Sequence, residues 1–302
     1  MSLVVAEATE EGPRIVSDTR VGYIDGRRSN FKTGTLKAIV LTPEVTICFA
    51  GDVGVALDGI RHVAARLQAG ESLDDLLPTL RELSSDSRKR VEFIVAKAET
   101  GSMLTRIRED QIERTLYLAW IGDQTAFERF QEERHRPLDE FRLQMMNKLP
   151  PGPRTMSVLG NAMEAVIEDP AIVSVDDFCV RVAAKNGEFN YLEQTFIHVG
   201  RDITLKPGDD LISKMAHPVE EGGYSVSVVP PAVAGTPALG LNFPRARLGM
   251  VYVPLQYDVA QVFQDVSPND FPKVVLDRLG IAMQDPPLRW PEIPDTKGYG
   301  GA

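Results

Sequence analysis

Two cysteines in 302 residues, Cys48 and Cys179, are too few for a disulfide framework. Each stands in an apolar, β-like run, where a buried free thiol is the expected state. The four histidines, His62, His135, His198 and His217, never fall at metal-ligand spacing with one another or with a cysteine, so no metal site is expected. A dense basic block is missing as well. The short runs are Arg27-Arg28 and Arg88-Lys89-Arg90, and at a net charge of −10 the chain offers no nucleic-acid surface. No apolar run exceeds strand length, which removes a membrane-spanning helix from the expectation. The N-terminus has neither the basic flank nor the apolar core of a signal peptide, so the expected address is cytoplasmic. No Gly-x-Ser-x-Gly elbow, phosphate loop or dinucleotide fingerprint follows a strand, and no cofactor is implied. No internal repeat is evident at a fixed period.

What is present is ordinary globular material, 43% hydrophobic and 25% charged, enough for one large domain or two small ones. Residues 2 to 54 organise the rest. Three β runs follow one another there: LVVAEA with alternating character, RIVSDTRV after a Glu10-Glu11-Gly12-Pro13 turn, and the β-branched TLKAIVLTPEVTICFAG around a second proline turn. Ser2 heads the first run, and removal of Met1 would make it the N-terminal residue. A hydroxyl there would have its own α-amine as base, a group whose ordinary pKa of about 7.7 to 8.0 leaves a useful fraction unprotonated near neutrality. Plainer readings stand beside this. Asp18 is also placed to accept backbone amides in a turn after a strand, Lys37 to be an exposed strand lysine, and Gly51 to Gly54 to form a loop into a helix N-cap.

The stretch resembles the N-terminal half of a proteasome β-subunit, or of the simpler bacterial proteasome-like protease cores, which are N-terminal-nucleophile (Ntn) hydrolases. Those chains begin with threonine, carry an Asp-Ser/Thr-Arg triplet ending the second strand, a lysine before alternating apolar residues, and an Ala-Gly before the first long helix. With Ser2 as first residue, Asp18-Thr19-Arg20 falls on the triplet, Lys37 on the lysine and Ala50-Gly51 on the loop glycine. The resemblance implies Ser2 as nucleophile, Lys37 keeping the potential around the amine positive, Asp18 orienting Lys37, and the Gly51 amide as oxyanion donor. It further implies an α+β, four-layer αββα sandwich of two antiparallel sheets with outer helices. Its partners would be further copies of itself in a ring, an unfoldase, and a peptide or other amide substrate.

The chain departs from the family pattern at three places, the first being Ser2 where the family has threonine. Asp123, after Ile121-Gly122, stands where the family carries a serine that helps to hold the catalytic N-terminus. Asp169 and Ser174 are the nearest matches to an acidic residue and a serine found before a Gly-Gly pair, which Asp176-Asp177 replaces. These departures keep two alternatives in view: an inactive scaffold of the same fold, and a small-molecule amidase.

Beyond Gly54 the apolar period changes to that of helices. Val55, Leu57, Ile60, Val63, Ala64 and Leu67 mark one helix ending at Gly70, and Ser72 caps a second bearing Leu73, Leu76, Leu77, Leu80 and Leu83. The runs VEFIVAKAET and TLYLAWIGD read as central strands with MLTRIRED between them, and Arg106 and Arg108 as a solvated face. The segment QTAFERFQEER reads as a helix, its Phe127 and Phe130, with Phe141 further on, as core or subunit interface. Residues 137 to 169 read as helical, broken by a loop or linker over Leu149 to Arg154. A hairpin turns at Asn186-Gly187.

The expected organisation is an Ntn-like domain over 1–200, a C-terminal β/α elaboration packed on it over 201–285, and a Pro/Gly-rich tail over 286–302. The β runs between Tyr224 and Leu255, punctuated by Pro230, Pro231, Pro237 and Pro244, are expected to form a hairpin at a sheet edge.

Overall fold

The computed structural model describes residues 2–19, 34–85, 90–101, 103–137, 140–175, 178–198, 224–244 and 246–286. The fold is mixed α+β, with three five-stranded antiparallel sheets among the described residues. The basic pair Arg27-Arg28, His217, Asp176-Asp177 and the tail from 287 onward lie outside the described residues. Two compact units divide the chain. The first comprises the described residues up to Leu192 with Ala234–Ala238 and Tyr252–Ala260; the second holds those of Glu193–Val233, Leu239–Val251 and from Gln261 onward.

In the first unit, one sheet is built from β1 (Leu3–Glu7), β2 (Arg14–Ser17), β8 (Leu118–Gly122), β9 (Val180–Lys185) and β10 (Glu188–Tyr191), in the order β10-β9-β2-β1-β8. A second contains β3 (Ala38–Thr42), β4 (Val45–Ala50), β5 (Glu92–Lys97), β6 (Leu104–Arg108) and β7 (Gln111–Thr115), in sequence order. The period of two explains its packing. Ile39 and Leu41 of β3, Val45, Ile47 and Phe49 of β4, and Phe93 and Val95 of β5 all enter one apolar cluster. Their partners are Leu57, Ile60 and Val63 of α1 (Val53–Gln68) and Leu73, Leu76, Leu77 and Leu80 of α2 (Leu73–Ser85). Each such side chain contributes about 1.5–3 kcal/mol on burial. Asp52 caps α1 by accepting the Val55 amide, and Ser72 accepts the Asp75 amide at the start of α2.

Alternate strand residues face away from that helical cluster, and there β1 packs on β4, β2 on β3, and β8 on β5 and β6. On the first sheet, α5 (Pro151–Glu168) packs on β2 and β9, and α3 (Gln124–Arg134) packs on α5. The stretch expected as a loop from Leu149 to Arg154 differs: a short α4 (Glu140–Asn147) ends before it, but α5 already begins at Pro151. First-turn amides have no intrahelical acceptor, so Pro151 and Pro153 take nothing from the helix there. The run TLYLAWIGD also differs. It bends at Leu116-Tyr117, and β8 is the edge of its sheet rather than a central strand. The polar, exposed Gln111–Thr115 forms the unexpected strand β7 at the other sheet's edge.

The second unit carries the third sheet: β11 (Gln194–His198), β12 (Tyr224–Val229), β13 (Leu239–Phe243), β14 (Leu248–Tyr252) and β15 (Gln261–Gln264) in sequence order, with α6 (Phe271–Leu279). The expected edge hairpin is corrected here, because β12, β13 and β14 are interior strands of a sheet of their own. Pro230, Pro231, Pro237 and Pro244 all fall between strands, so none interrupts a ladder. Phe271 lies across Gly240 and Gly249, where a Cβ would come within 2.8 and 2.4 Å of its ring.

Candidate active site at the start of the first strand

Ser2 immediately precedes β1 and is 5% exposed. Its strand is held on both sides: Val4 pairs with Ser17 of β2, and Leu3 with Gly122 of β8. The Ser2 carbonyl accepts the Asp123 amide at 2.8 Å, which fixes the peptide that bears the hydroxyl. Asp18 follows β2 and brackets the next residue, its amide donating to the Leu3 carbonyl at 3.4 Å and its Oδ1 accepting the Leu3 amide at 3.0 Å. The other oxygen, Oδ2, meets Lys37 Nζ at 2.5 Å. Asp18 is 0% and Lys37 1% exposed, so this is an ion pair withdrawn from water, which persists only with close geometry and further hydrogen bonds. One carboxylate thus holds both the peptide amide next to Ser2 and the lysine ammonium.

The segment carrying Lys37 is tied down locally. The Thr35 amide donates to the Thr19 carbonyl at 2.8 Å, and the Lys37 carbonyl accepts the Phe49 amide of β4 at 3.0 Å. Thr19 Oγ1 accepts the Phe178 amide at 3.2 Å, joining the residue after Asp18 to the approach to β9. Gly51, exposed at the end of β4, has φ +110°, and a Cβ there would fall 1.8 Å from the Arg90 carbonyl oxygen. Only glycine fits that conformation in that space. Gly122 repeats the device across from it, with φ +105° and a Cβ position 1.9 Å from the Ser2 oxygen and 3.4 Å from Ala50 Cβ. The start of β1 and the end of β4 therefore converge.

Asp123 meets Ser2 through its backbone, while its Oδ1 accepts the Ala126 amide at 3.0 Å and caps α3. Asp169 lies at the C-terminus of α5, where it accepts the Ala171 amide at 3.0 Å and Arg129 Nε at 2.9 Å. The Ala171 amide, opposed by partial desolvation and aided by the Arg129 guanidinium, holds its carboxyl below the usual value. Ser174 is half-buried in the turn beyond. Among the described residues, these hydrogen bonds of Ser2, Asp18, Lys37 and Asp123 run separately from those of Asp169, which is tied to Arg129 and the Ala171 amide.

Two further residues belong to the surroundings of Ser2 without being conspicuous in the sequence. Glu92, first in β5, accepts the Gly122 amide on Oε2 at 2.8 Å and pairs through Oε1 with Arg108 Nε at 2.8 Å. Arg108 in turn lies over the Trp120 ring, 5.8 Å from its centroid. A carboxylate directly before the apolar FIVA stretch of this strand is the signal that marks Glu92. Both cysteines are buried and free, and burial pushes the Cys48 thiol up and the Cys179 thiol to about 12. Neither is a ready nucleophile. A cavity of about 560 Å³ lined by Phe263, Val274 and Arg278 lies in the second unit and involves none of these groups.

Among the described residues no helix is long and apolar enough to cross a membrane, and no three His, Cys, Asp or Glu side chains are grouped to hold a metal ion. Comparison with known proteins returns no matching family model and no matching curated protein.

Proposed function

We propose that the chain is a proteasome-like N-terminal-nucleophile hydrolase that cleaves amide bonds, peptide bonds foremost, through Ser2 after loss of Met1. The observation that carries this reading is the buried Asp18 carboxylate shared between the Leu3 amide and the Lys37 ammonium. The lysine's positive charge, held by that carboxylate, then favours the neutral, basic form of the Ser2 α-amine. On this reading α1 and α2, the second sheet, the first sheet, and α3 with α5 are the four layers of an αββα sandwich.

The chemistry follows the groups in place. The free amine of Ser2 takes the hydroxyl proton as Oγ attacks the substrate carbonyl. The Gly51 amide donates to the resulting oxyanion, an interaction whose loss costs about 3 kcal/mol in comparable sites. The C–N bond breaks, the leaving amine carries away the proton, and an acyl ester remains on Oγ. Water, deprotonated by the same amine, attacks the ester and releases the acid. Lys37 holds its charge throughout, and Asp18 holds Lys37.

Intact mass and an acylating β-lactone test the proposal. Protein from its native source should lack one methionine and take one acyl group on Ser2, and Ser2→Ala should take none. Retained Met1 with no adduct would overturn it, because a methionine on Ser2 turns the base into an amide. That outcome favours a second reading, an inactive scaffold of the same fold. Its motivating observation is that the Asp123 Oδ1 caps α3 and Asp169 pairs with Arg129, so both carboxylates carried over from the family pattern have other roles.

A further inference from the structure

Among the described residues, the links between the first and second sheets near Ser2 include the Asp18–Lys37 pair and Glu92. Phe93 and Val95 of β5 point into the helical cluster, so Glu92, like Ile94, faces the opposite way, toward the first sheet. There its Oε2 accepts the Gly122 amide at 2.8 Å. The amide of the next residue, Asp123, is the one that reaches the Ser2 carbonyl, so the Gly122 amide points to the open side of β8. An edge donor of this kind needs a partner from outside the sheet.

The location gives this bond its meaning. Gly122 backbone lies directly against the Ser2 carbonyl, as the 1.9 Å Cβ position shows. Glu92 is also the register partner of Ala50, the residue before Gly51. One side chain therefore holds the Gly122 amide, one residue before the Asp123 amide that donates to the Ser2 carbonyl, while growing from the strand paired with the residue before Gly51. Its second oxygen is held by Arg108, which is backed by Trp120, itself stacked on Phe127 of α3 with ring centroids 4.3 Å apart.

We infer that Glu92 is a positioning residue that sets the separation of Ser2 from the Gly51 amide by clamping the β8 edge to β5. Its bearing on turnover rests on the hydrolase reading; its grip on Gly122 does not. Amide hydrogen exchange on the full chain, resolved by NMR, reads the grip. In Glu92→Ala the Gly122 and Asp123 amides should both exchange about tenfold faster, the loosening expected when one charge-assisted hydrogen bond is lost. Glu92→Gln keeps an oxygen acceptor and should return both to within about threefold of the parent. The β-lactone acylation rate of Ser2 should fall about tenfold in the alanine variant, at unchanged half-saturating reagent, and recover in the glutamine variant. Unchanged exchange at Asp123 in Glu92→Ala, or a glutamine variant as loose as alanine, overturns the inference. An unacylated parent protein overturns the hydrolase reading alone, and the exchange result then decides the role of Glu92 by itself.

Discussion

Lys37 sits at 1% exposure, and Asp18, 2.5 Å away, is a counter-charge that offsets its desolvation. Lys37→Ala should therefore do two things: remove hydrolysis, and leave the Asp18 charge buried without its cation at about 3–5 kcal/mol of stability. Asp18→Asn with Lys37→Met keeps an acceptor for the Leu3 amide and restores apolar volume, so the double variant should regain most of that stability and none of the activity. Denaturant unfolding of both proteins checks this, and equal stabilities would show that the pair is not coupled. Glu7 offers a pH test of the same strand. Burial, opposed by Arg134 and then His135, raises its pKa above the ordinary 4.5. A carboxyl with a raised folded-state value favours unfolding once pH exceeds it, so stability attributable to Glu7 should rise as pH falls through that value to 4.5 and then level off. Glu7→Gln should flatten that part of the profile in thermal melts taken from pH 4 to 7, and an unchanged profile would rule the assignment out. That Asp18 returns to the start of β1 is legible in the sequence because one short antiparallel connection carries it there, and its pairing with Lys37 is what the family resemblance implies. The position of Asp169 is not: its partner Arg129 lies on a separate helix, and nothing local in the sequence announces the pair.

At the scale of elements, Gly122 shapes the junction and Gly187 serves as its control. Gly122→Ala forces a side chain into positive φ and against the Ser2 oxygen, whereas Gly187→Ala, at φ +81° in the β9–β10 turn, meets nothing within 4 Å. Both should destabilise by about 1 kcal/mol or more for backbone strain, but only Gly122→Ala should also suppress acylation of Ser2. Melting temperature and labelling measured side by side decide it, and an active Gly122→Ala protein would detach β8 from the site. Periodicity makes α1, α2, α3 and the Asn186-Gly187 hairpin readable, since each carries its own apolar face or turn residues. Edge status has no such signature. β8 is apolar because β5 and β6 cover its face, although one of its edges has no strand beside it. Prolines mislead in the same way: at Pro151 they open a helix, and around β13 they mark the ends of interior strands.

At the scale of the molecule, the proposed ring assembly predicts a species well above 33.3 kDa in sedimentation at micromolar concentration, and a monomer there would refute the ring. The order of the chain supplies a separate prediction. Tyr252–Ala260 belongs to the first unit although the second unit's strands lie before and after it in sequence. Within that segment the Pro254 carbonyl accepts Arg61 Nε at 3.0 Å, Asp258 pairs with the same guanidinium at 2.7 Å, and Leu255 packs on the cluster formed by the second sheet with α1 and α2. Hydrophobic period alone does not reveal this return, because the partners are some 190 residues apart: 193 separate Arg61 from Pro254. A chain ending at Leu192 keeps both sheets of the first unit but loses that cover. Removing a partly buried leucine and the acceptor of a partly buried guanidinium bond should cost about 2 kcal/mol, or roughly 5 °C in melting temperature for a domain of this size. Leu255→Ala in the full chain should reproduce about half of it, since the Arg61 contacts survive. If the shortened chain melts where the full chain does, the segment is a passenger on the first unit rather than part of its core.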